Sequence, residues 1–140
     1  MNLPQVNRKY LAVAVALLLL AVAVIVYLPP AFTSKTINAY FSQATLSPGQ
    51  NTDLIVEITN TLDKDIPENE FSMSVSSINE GIVIGEFAQP TGTIGKGDMR
   101  KIIVPVSLSG NLLEGTYSLE VMVNFGEEAH SSRVVLTITK

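Results

Sequence analysis

The sequence predicts an all-β domain, an antiparallel sandwich, that follows one transmembrane α-helix. An uninterrupted apolar run lies near the N-terminus, and the rest of the 140-residue chain alternates apolar and polar residues with a period of two. After Pro29 no segment shows a helical period. The expected organisation is a cytoplasmic N-terminus over 1–9, the transmembrane helix over 10–28, a tether over 29–36 and the sandwich over 37–140.

The apolar run over 10–28 contains no charged residue. A helix rises about 1.5 Å per residue, so the run reaches roughly 28 Å, close to the hydrocarbon core of about 30 Å. Tyr10 and Tyr27 bracket it at the expected interfaces, and Pro29 and Pro30 then end the helix. A cleaved signal peptide is the alternative, but its apolar region is shorter, about 7–15 residues. An uncleaved anchor is therefore favoured.

Two basic residues, Arg8 and Lys9, precede the apolar run and predict its orientation. The positive-inside rule keeps them in the cytoplasm, so the C-terminal domain is expected outside the cell membrane. Ala12, Ala16 and Ala23 have the spacing of a small-residue stripe, which makes them candidates for packing against another helix. In a run of Ala, Val and Leu this spacing also arises by chance, so a plain lipid-facing helix remains open.

Charge and cysteine content exclude several classes of protein. All 13 acidic residues, but only 7 of the 9 basic ones, follow Pro29, which gives this part of the chain a net charge of −6. A nucleic-acid partner is not expected, because phosphate contacts come from Lys and Arg. The absence of cysteine excludes disulfides and thiolate chemistry. The exported domain must therefore be stabilised by its core alone.

Seven strands are predicted after the tether. Phe41, Ala44 and Leu46 are the expected inward residues of the first strand, which ends at a Pro-Gly turn over Ser47–Gln50. A short apolar strand is expected over Ile82–Phe87. The inward residues of the other five strands are Leu54, Val56 and Ile58; Phe71, Met73 and Val75; Ile102, Val104, Val106 and Leu108; Tyr117, Leu119, Val121, Val123 and Phe125; and Val134, Leu136 and Ile138.

Short, evenly spaced strands of this kind indicate an antiparallel sandwich, with a closed barrel as the less favoured alternative. Pro105 cannot donate a hydrogen bond to a ladder, so its strand is expected at a sheet edge or at a bulge. Exposed edges pair readily with other chains. Pro105 is thus expected either to block such pairing or to mark the place where a partner docks.

The segment Leu46–Asn60 resembles the opening of the immunoglobulin-like modules of prokaryotic surface proteins, the CARDB and S-layer-associated type, with a Pro-Gly turn, a strand and a terminal Asn. Ile94–Gly97 resembles their second glycine turn, and Leu113–Tyr117 resembles both their Gly-x-Tyr entry to a strand and a tyrosine corner. The resemblance covers about residues 42–139 and implies a seven-stranded immunoglobulin-like sandwich. It implies adhesion, spacer or assembly roles and brings no catalytic residue.

No catalytic, cofactor or metal site is predicted. His130, the only histidine, is expected in a solvated loop before the last strand. Copper-bearing sandwiches on a membrane helix need cysteine and at least two histidines, so copper is excluded. Asp63, Asp65, Glu68 and Glu70 offer oxygen ligands for calcium, but their spacing is not that of an EF-hand. A solvated loop is favoured there, and calcium binding is left open.

Two residues are candidates for docking a partner. Ile55 and Ile103 occupy polar-phase positions of two strands that neighbour each other in an immunoglobulin-like sheet, so both are expected on one outer face. Two isolated exposed residues are the plain alternative. The predicted function is that of a non-catalytic accessory subunit of a membrane or envelope complex, with the bilayer and other envelope proteins as partners and no small-molecule substrate. The second hypothesis is a surface module that binds a wall polymer, an S-layer protein or a glycan.

Overall fold

The computed structural model describes residues 36–140, which form eight strands and one 3₁₀ helix, Glu68–Glu70. The strands are β1 (Ile37–Phe41), β2 (Thr45–Leu46), β3 (Asn51–Thr59), β4 (Phe71–Ser77), β5 (Ile82–Ile84), β6 (Met99–Leu108), β7 (Gly115–Phe125) and β8 (Glu128–Ile138). None of the helical structure in this part of the chain is long and apolar enough to cross a membrane. The predicted N-terminal segment, transmembrane helix and candidate packing residues Ala12, Ala16 and Ala23 lie outside the described residues.

Two four-stranded sheets form the sandwich. Sheet A has the order β1-β3-β6-β5 and sheet B has the order β2-β8-β7-β4. All pairs are antiparallel except β2 with β8, which is parallel. With β1 and β2 taken as two halves of a first strand, these are the strand orders of a constant-type immunoglobulin sandwich. The prediction of an antiparallel sandwich is confirmed, whereas the number of strands is eight rather than seven.

The predicted first strand is broken because the chain changes sheets between Phe41 and Thr45. Thr52, 7% exposed, holds the crossing through its hydroxyl, which donates to the Gln43 carbonyl (3.2 Å) and lies 3.1 Å from Ser42 Oγ. The Ser42 hydroxyl in turn accepts from the Asp53 N–H. Ala44, predicted to face inward, is exposed as a result, while Phe41 and Leu46 are buried.

The core lies between the sheets and consists of the alternating residues that the sequence indicates. Leu54, Val56 and Ile58 are fully buried on β3, and all four predicted residues of β6 are at most 5% exposed. The same alternation buries every second residue from Leu119 to Phe125 on β7 and every second residue from Val134 to Ile138 on β8. Val75 and Tyr117 are only half-buried at the margin of this core.

Pro105 lies inside sheet A rather than on an edge strand, because β6 pairs with both β3 and β5. Its carbonyl accepts from the Gly85 N–H (2.8 Å), which places the side of Pro105 that lacks a donor towards β5. A hydrogen-bonded antiparallel pair exchanges two N–H···O bonds, and Pro105 can supply only the acceptor in its pair with Gly85, so the β5–β6 ladder ends here. The β3–β6 ladder is undisturbed because its bonds are made by the even-numbered residues of β6. This is why β5 stops at Ile84 instead of reaching the predicted Phe87.

One buried polar side chain joins the loops at the end of the sandwich where β3 ends. Asn60, 1% exposed, donates to the carbonyls of Lys64 (2.9 Å) and Ile94 (3.0 Å) and accepts from the Leu62 N–H (3.0 Å). Its backbone bonds to Gly97 and Asp98. The side chain thus satisfies the Lys64 carbonyl and the Leu62 N–H and adds a second bond to the Ile94 carbonyl, which also accepts from the Ile66 N–H.

The opposite end carries the predicted tyrosine corner. The Tyr117 hydroxyl donates to the Leu113 carbonyl at 2.8 Å, four residues upstream. This bond ties the connection between β6 and β7 to the start of β7. The corner that Leu113–Tyr117 suggested is therefore present.

Replacing Tyr117 by phenylalanine should lower the free energy of unfolding by about 1 kcal/mol, the usual net contribution of one hydrogen bond. The ring and its packing stay, so the change isolates the hydroxyl. Urea denaturation followed by circular dichroism gives the value. Tyr40→Phe is the matched control, because its hydroxyl bonds to the Glu57 side chain on a sheet face and does not tie down a connection between strands, and we expect a loss below about 0.5 kcal/mol. Equal losses in the two variants would show that the corner adds nothing.

Candidate functional site

The outer face of sheet A carries a row of apolar side chains. The Cα register aligns Tyr40 on β1 with Ile55 on β3, and Ile55 with Ile103 on β6. All three point away from the core, and Ile103 is 54% exposed while Tyr40 is 39% exposed. We call Tyr40, Ile55 and Ile103 the apolar row.

Ile55 and Ile103 lie directly opposite each other, as a pair that exchanges no backbone hydrogen bonds. The Asn60 N–H donates to the Asp98 carbonyl, and the Leu108 N–H donates to the Gln50 carbonyl. The backbone hydrogen-bonding groups of the even-numbered residues of β6 therefore face β3, and those of Ile103 do not. Non-bonded pairs bring their side chains closest together. The two isoleucines therefore lie side by side on one face of sheet A.

Charged residues lie in the rows on both sides of the apolar row. Glu57 and Lys101 are register partners on one side, and Asp53 and Pro105 are partners on the other. An apolar centre with a charged margin is the usual anatomy of a protein–protein interface. The outer face of sheet A thus has an apolar centre with charged residues on either side.

Tyr40 also belongs to a small polar cluster with Glu57. Its hydroxyl donates to Glu57 Oε1 (3.0 Å), and Asn38 Nδ2 donates to Glu57 Oε2 (2.9 Å). The hydrogen bond to Glu57 raises the pKa of the Tyr40 hydroxyl above its ordinary value, with desolvation and the carboxylate charge acting in the same direction. The cluster fixes the tyrosine ring at one end of the apolar row.

Glu57→Ala should bring the pKa of Tyr40 back towards that of a free tyrosine. A raised pKa means that the fold holds the proton, so this stabilisation is present below the ordinary tyrosine pKa and disappears as the pH rises through the folded value. Titration of the Tyr40 ring carbon by nuclear magnetic resonance measures the change. Asp53→Ala, on the same face, is the control that should leave it in place. An unchanged pKa in Glu57→Ala would contradict the cluster.

Sheet B presents a different outer face. Ser72, Ser74 and Ser76 line β4, and Glu120 lies opposite Arg133 in the neighbouring ladder. Met122 and Val135 are exposed there, but they are not register partners. The aligned apolar row is a feature of sheet A.

The acidic loop, Asp63 to Glu70, is held by backbone N–H groups of the segment before β6 and by two lysines. Asp65 Oδ1 accepts from the Lys96 N–H (3.0 Å) and Glu68 Oε2 from the Gly92 N–H (2.9 Å). Asp63 pairs with Lys96, and Glu70 lies 3.8 Å from Lys64 Nζ. Within residues 36–140, no three histidine, aspartate or glutamate side chains lie close enough together to hold a metal ion.

His130 is not in a loop, contrary to the prediction. It lies on β8 opposite Val123 and faces the core side, 5.6 Å from the Phe125 ring, centroid to centroid. The β7–β8 hairpin turns at Gly126 and Glu127, with Gly126 at φ +60°, so β8 begins at Glu128. Its Nε2 atom is 3.7 Å from a Glu128 carboxylate oxygen and has no hydrogen-bond partner in the described structure.

Tyr40 is the site residue that the sequence did not reveal. Its exposure follows from the alternation of β1, in which Ile37 and Phe41 are buried and the residues between them face outward or lie half-buried. If Ile37 is the first inward residue of β1, the alternation places Tyr40 on the outer face of the sheet. The break before β2 obscured that alternation.

Comparisons with known proteins bear on the fold only. No protein-family model matches the sequence, and no curated protein matches it. Among solved structures the chain is similar to a secreted serine protease of Vibrio cholerae, VesC (9% identity, TM-score 0.49, 75% of this chain but 23% of that one). It is also similar to PapD-like domain 7 of human CEP192 (14% identity, TM-score 0.42, covering 76% and 86% of the two chains).

A third similar structure is a non-cellulosomal cohesin of Archaeoglobus fulgidus (8% identity, TM-score 0.35, covering 75% of this chain and 92% of that one). With identities of 8–14% and TM-scores below 0.5, none of the three assigns a family, an activity, a ligand or a partner to this chain.

Proposed function

We propose that this protein is a non-catalytic interaction module, an accessory subunit of a membrane or cell-envelope assembly that docks through the outer face of sheet A. The observation that carries the proposal is the apolar row, in which Tyr40, Ile55 and Ile103 are register neighbours across three strands. Large side chains of this kind, exposed together and rimmed by charge, supply most of the energy of protein interfaces.

The proposal includes the N-terminal anchor. The apolar run over 10–28 has the length to span a bilayer, and the tether over 29–36 is short. A sandwich that begins at Ile37 would thus stay close to the membrane surface. Such a position suits a subunit seated on a membrane complex better than a long-reach adhesin. The sequence resemblance of Leu46–Asn60 to the opening of CARDB-type surface modules favours the same class of role.

Purification of the full-length protein in a mild detergent, with mass spectrometry of the bound proteins, tests this function. We expect membrane or envelope proteins to remain bound in stoichiometric amounts. Recovery of the protein alone, in detergents that preserve other membrane complexes, would contradict the accessory-subunit role.

One observation supports binding of a glycan as a second candidate. Tyr40 is a surface aromatic residue beside Asn38 and Glu57, a combination suited to stacking on a sugar ring and bonding its hydroxyls. The Tyr40→Ala variant distinguishes the glycan from the protein partner. Loss of binding to isolated envelope polysaccharide would favour the glycan, whereas retention of that binding, or its absence in the native protein, favours the protein partner.

A further inference from the structure

The outward edge of β6 has a gap in its strand pairing. β5 pairs only with Val106, Ser107 and Leu108, and its last backbone bond runs from Gly85 N to Pro105 O (2.8 Å). Odd-numbered residues of β6 face this edge, since the even-numbered ones face β3. Among residues 36–140, no backbone or side-chain group bonds to the N–H or C=O of Lys101 or Ile103.

The segment that follows β5 leaves this gap because it is committed to the other sheet. The Gln89 side-chain amide accepts from the Met73 N–H (3.0 Å) and donates to the Met73 carbonyl (2.9 Å). One side chain thus reproduces the two bonds of a neighbouring strand and closes the edge of β4. The edge of β6 at Lys101 and Ile103 has no equivalent cover in the described structure.

Unpaired strand edges are templates for another strand. A strand added here would bond to four free groups, the N–H and C=O of Lys101 and of Ile103. Its outward side chain opposite Ile103 would also lengthen the apolar row by one residue. The free edge of β6 and the outer face of sheet A, which we call the docking face, therefore form one continuous surface.

The chemistry around Lys101 identifies the kind of partner. Its ammonium group forms no salt bridge within residues 36–140, although Glu57 is its register neighbour. A second copy of this chain, paired antiparallel along the free edge, would place Lys101, Ile103 or Met99 opposite Lys101, and none of these is acidic. Two copies would also bring together two domains that each carry 6 basic and 13 acidic residues over 36–140, a net charge of −7.

We propose that β6 receives an extended strand from a different protein, with an apolar residue opposite Ile103 and an acidic residue opposite Lys101. In an antiparallel strand this corresponds to the pattern apolar-x-acidic. Strand addition of this type supplies affinity through main-chain bonds and specificity through alternate side chains. This inference rests on the proposed function and specifies how the docking face engages its partner.

A capped synthetic peptide, Thr-Ile-Thr-Asp-Thr-Val-Thr, is the probe. Its Ile would lie opposite Ile103 and its Asp opposite Lys101. Amide exchange in the full-length, nitrogen-15-labelled protein in detergent should slow at Lys101 and Ile103 by about tenfold or more when the peptide is bound. A peptide with Lys in place of Asp should bind more weakly. No slowing at these two amides, at peptide concentrations up to about 1 mM, would overturn the proposal.

The matched variants are Lys101→Pro and Lys101→Gln. Both remove the charge, but only proline removes the outward N–H, and Pro105 already occupies an equivalent position of β6. Lys101→Pro should bind the peptide about fivefold or more weakly than Lys101→Gln. Slow exchange at Ile102 and Val104, whose amides face β3, reports that the strand is intact. Equal affinities in two folded variants would overturn strand addition.

The Lys101→Pro and Lys101→Gln variants also distinguish a failure of this inference from a failure of the proposed function. If co-purified proteins are lost from the double variant Ile55→Ser, Ile103→Ser but retained equally by Lys101→Pro and Lys101→Gln, the docking face stands and strand addition is wrong. If all these variants retain them, both proposals fail. Loss in the double variant, together with a greater loss in Lys101→Pro than in Lys101→Gln, supports both.

Discussion

Replacing Phe125 by alanine is expected to lower the free energy of unfolding by about 3–5 kcal/mol, the range for removal of a buried aromatic ring. Phe125 is 2% exposed, and its ring lies 6.0 Å from the Phe71 ring and 5.6 Å from the His130 ring, centroid to centroid. Neighbours on two strands cannot collapse fully into the space left behind, so a cavity remains. A domain of this size is stabilised by only about 5–15 kcal/mol in total.

Met122→Ala is the matched control for this change. It lies on the same strand, but its side chain faces outward and is 41% exposed, so we expect a loss of about 0.5 kcal/mol or less. Urea denaturation of both variants gives the comparison. A loss below about 1 kcal/mol for Phe125→Ala would mean that β7 does not bury its odd-numbered residues as described.

Asn60→Ala should lower the free energy of unfolding by about 2–4 kcal/mol. The substitution removes three hydrogen bonds and leaves the Lys64 carbonyl and the Leu62 N–H without their partner, while the Ile94 carbonyl keeps its bond from the Ile66 N–H. Each buried polar group left unpaired costs about 1–3 kcal/mol, with some relief where water reaches the loop. The loops after β3 and before β6 should loosen together, and amide exchange at Leu62 should accelerate.

Asn124→Ala provides the control for Asn60, since its side chain makes one exposed hydrogen bond, to Ser72 Oγ (3.0 Å). We expect that variant to lose about 0.5 kcal/mol or less. If both asparagine variants were equally stable, the network around Asn60 would not contribute to the fold.

The sequence predicted the sandwich because long strands carry a strong signal. On β3, β6 and β7 the apolar residues alternate over nine to eleven positions, and a one-residue shift would expose all of them. The short elements lack that redundancy. β2 has two residues and β5 has three, so neither a change of sheet nor an early strand end leaves a periodic trace.

Two positions show why local rules failed. A strand that contains Pro105 is expected at a sheet edge or at a bulge, because proline lacks a backbone donor. The backbone hydrogen-bonding groups of Pro105 face β5, however, and the β3–β6 ladder needs no donor at this position. His130 was assigned to a loop because Glu128 to Arg133 is polar. The tight turn at Gly126 and Glu127 instead extends the β7–β8 ladder through that polar stretch. The dipeptide that follows Phe125 was the available signal.

The candidate site could be predicted in part. Ile55 and Ile103 are apolar residues at polar-phase positions, and such exceptions to a pattern are visible in the sequence. The position of Tyr40 follows from the alternation of β1, but the strand break before β2 hides that alternation in the sequence. The free edge at Lys101 depends on the early end of β5, which is a consequence of tertiary packing that strand periodicity does not encode.

The most direct test of the docking face compares two double variants of the full-length protein in the detergent purification. Ile55→Ser, Ile103→Ser alters the apolar row on sheet A, and Met122→Ser, Val135→Ser makes the matched change on the outer face of sheet B. We predict at least a tenfold loss of co-purified protein for the first variant, since two interface isoleucines contribute about 1–2 kcal/mol each. The second variant should retain its partners. Unchanged retention by a folded Ile55→Ser, Ile103→Ser variant would contradict docking through sheet A.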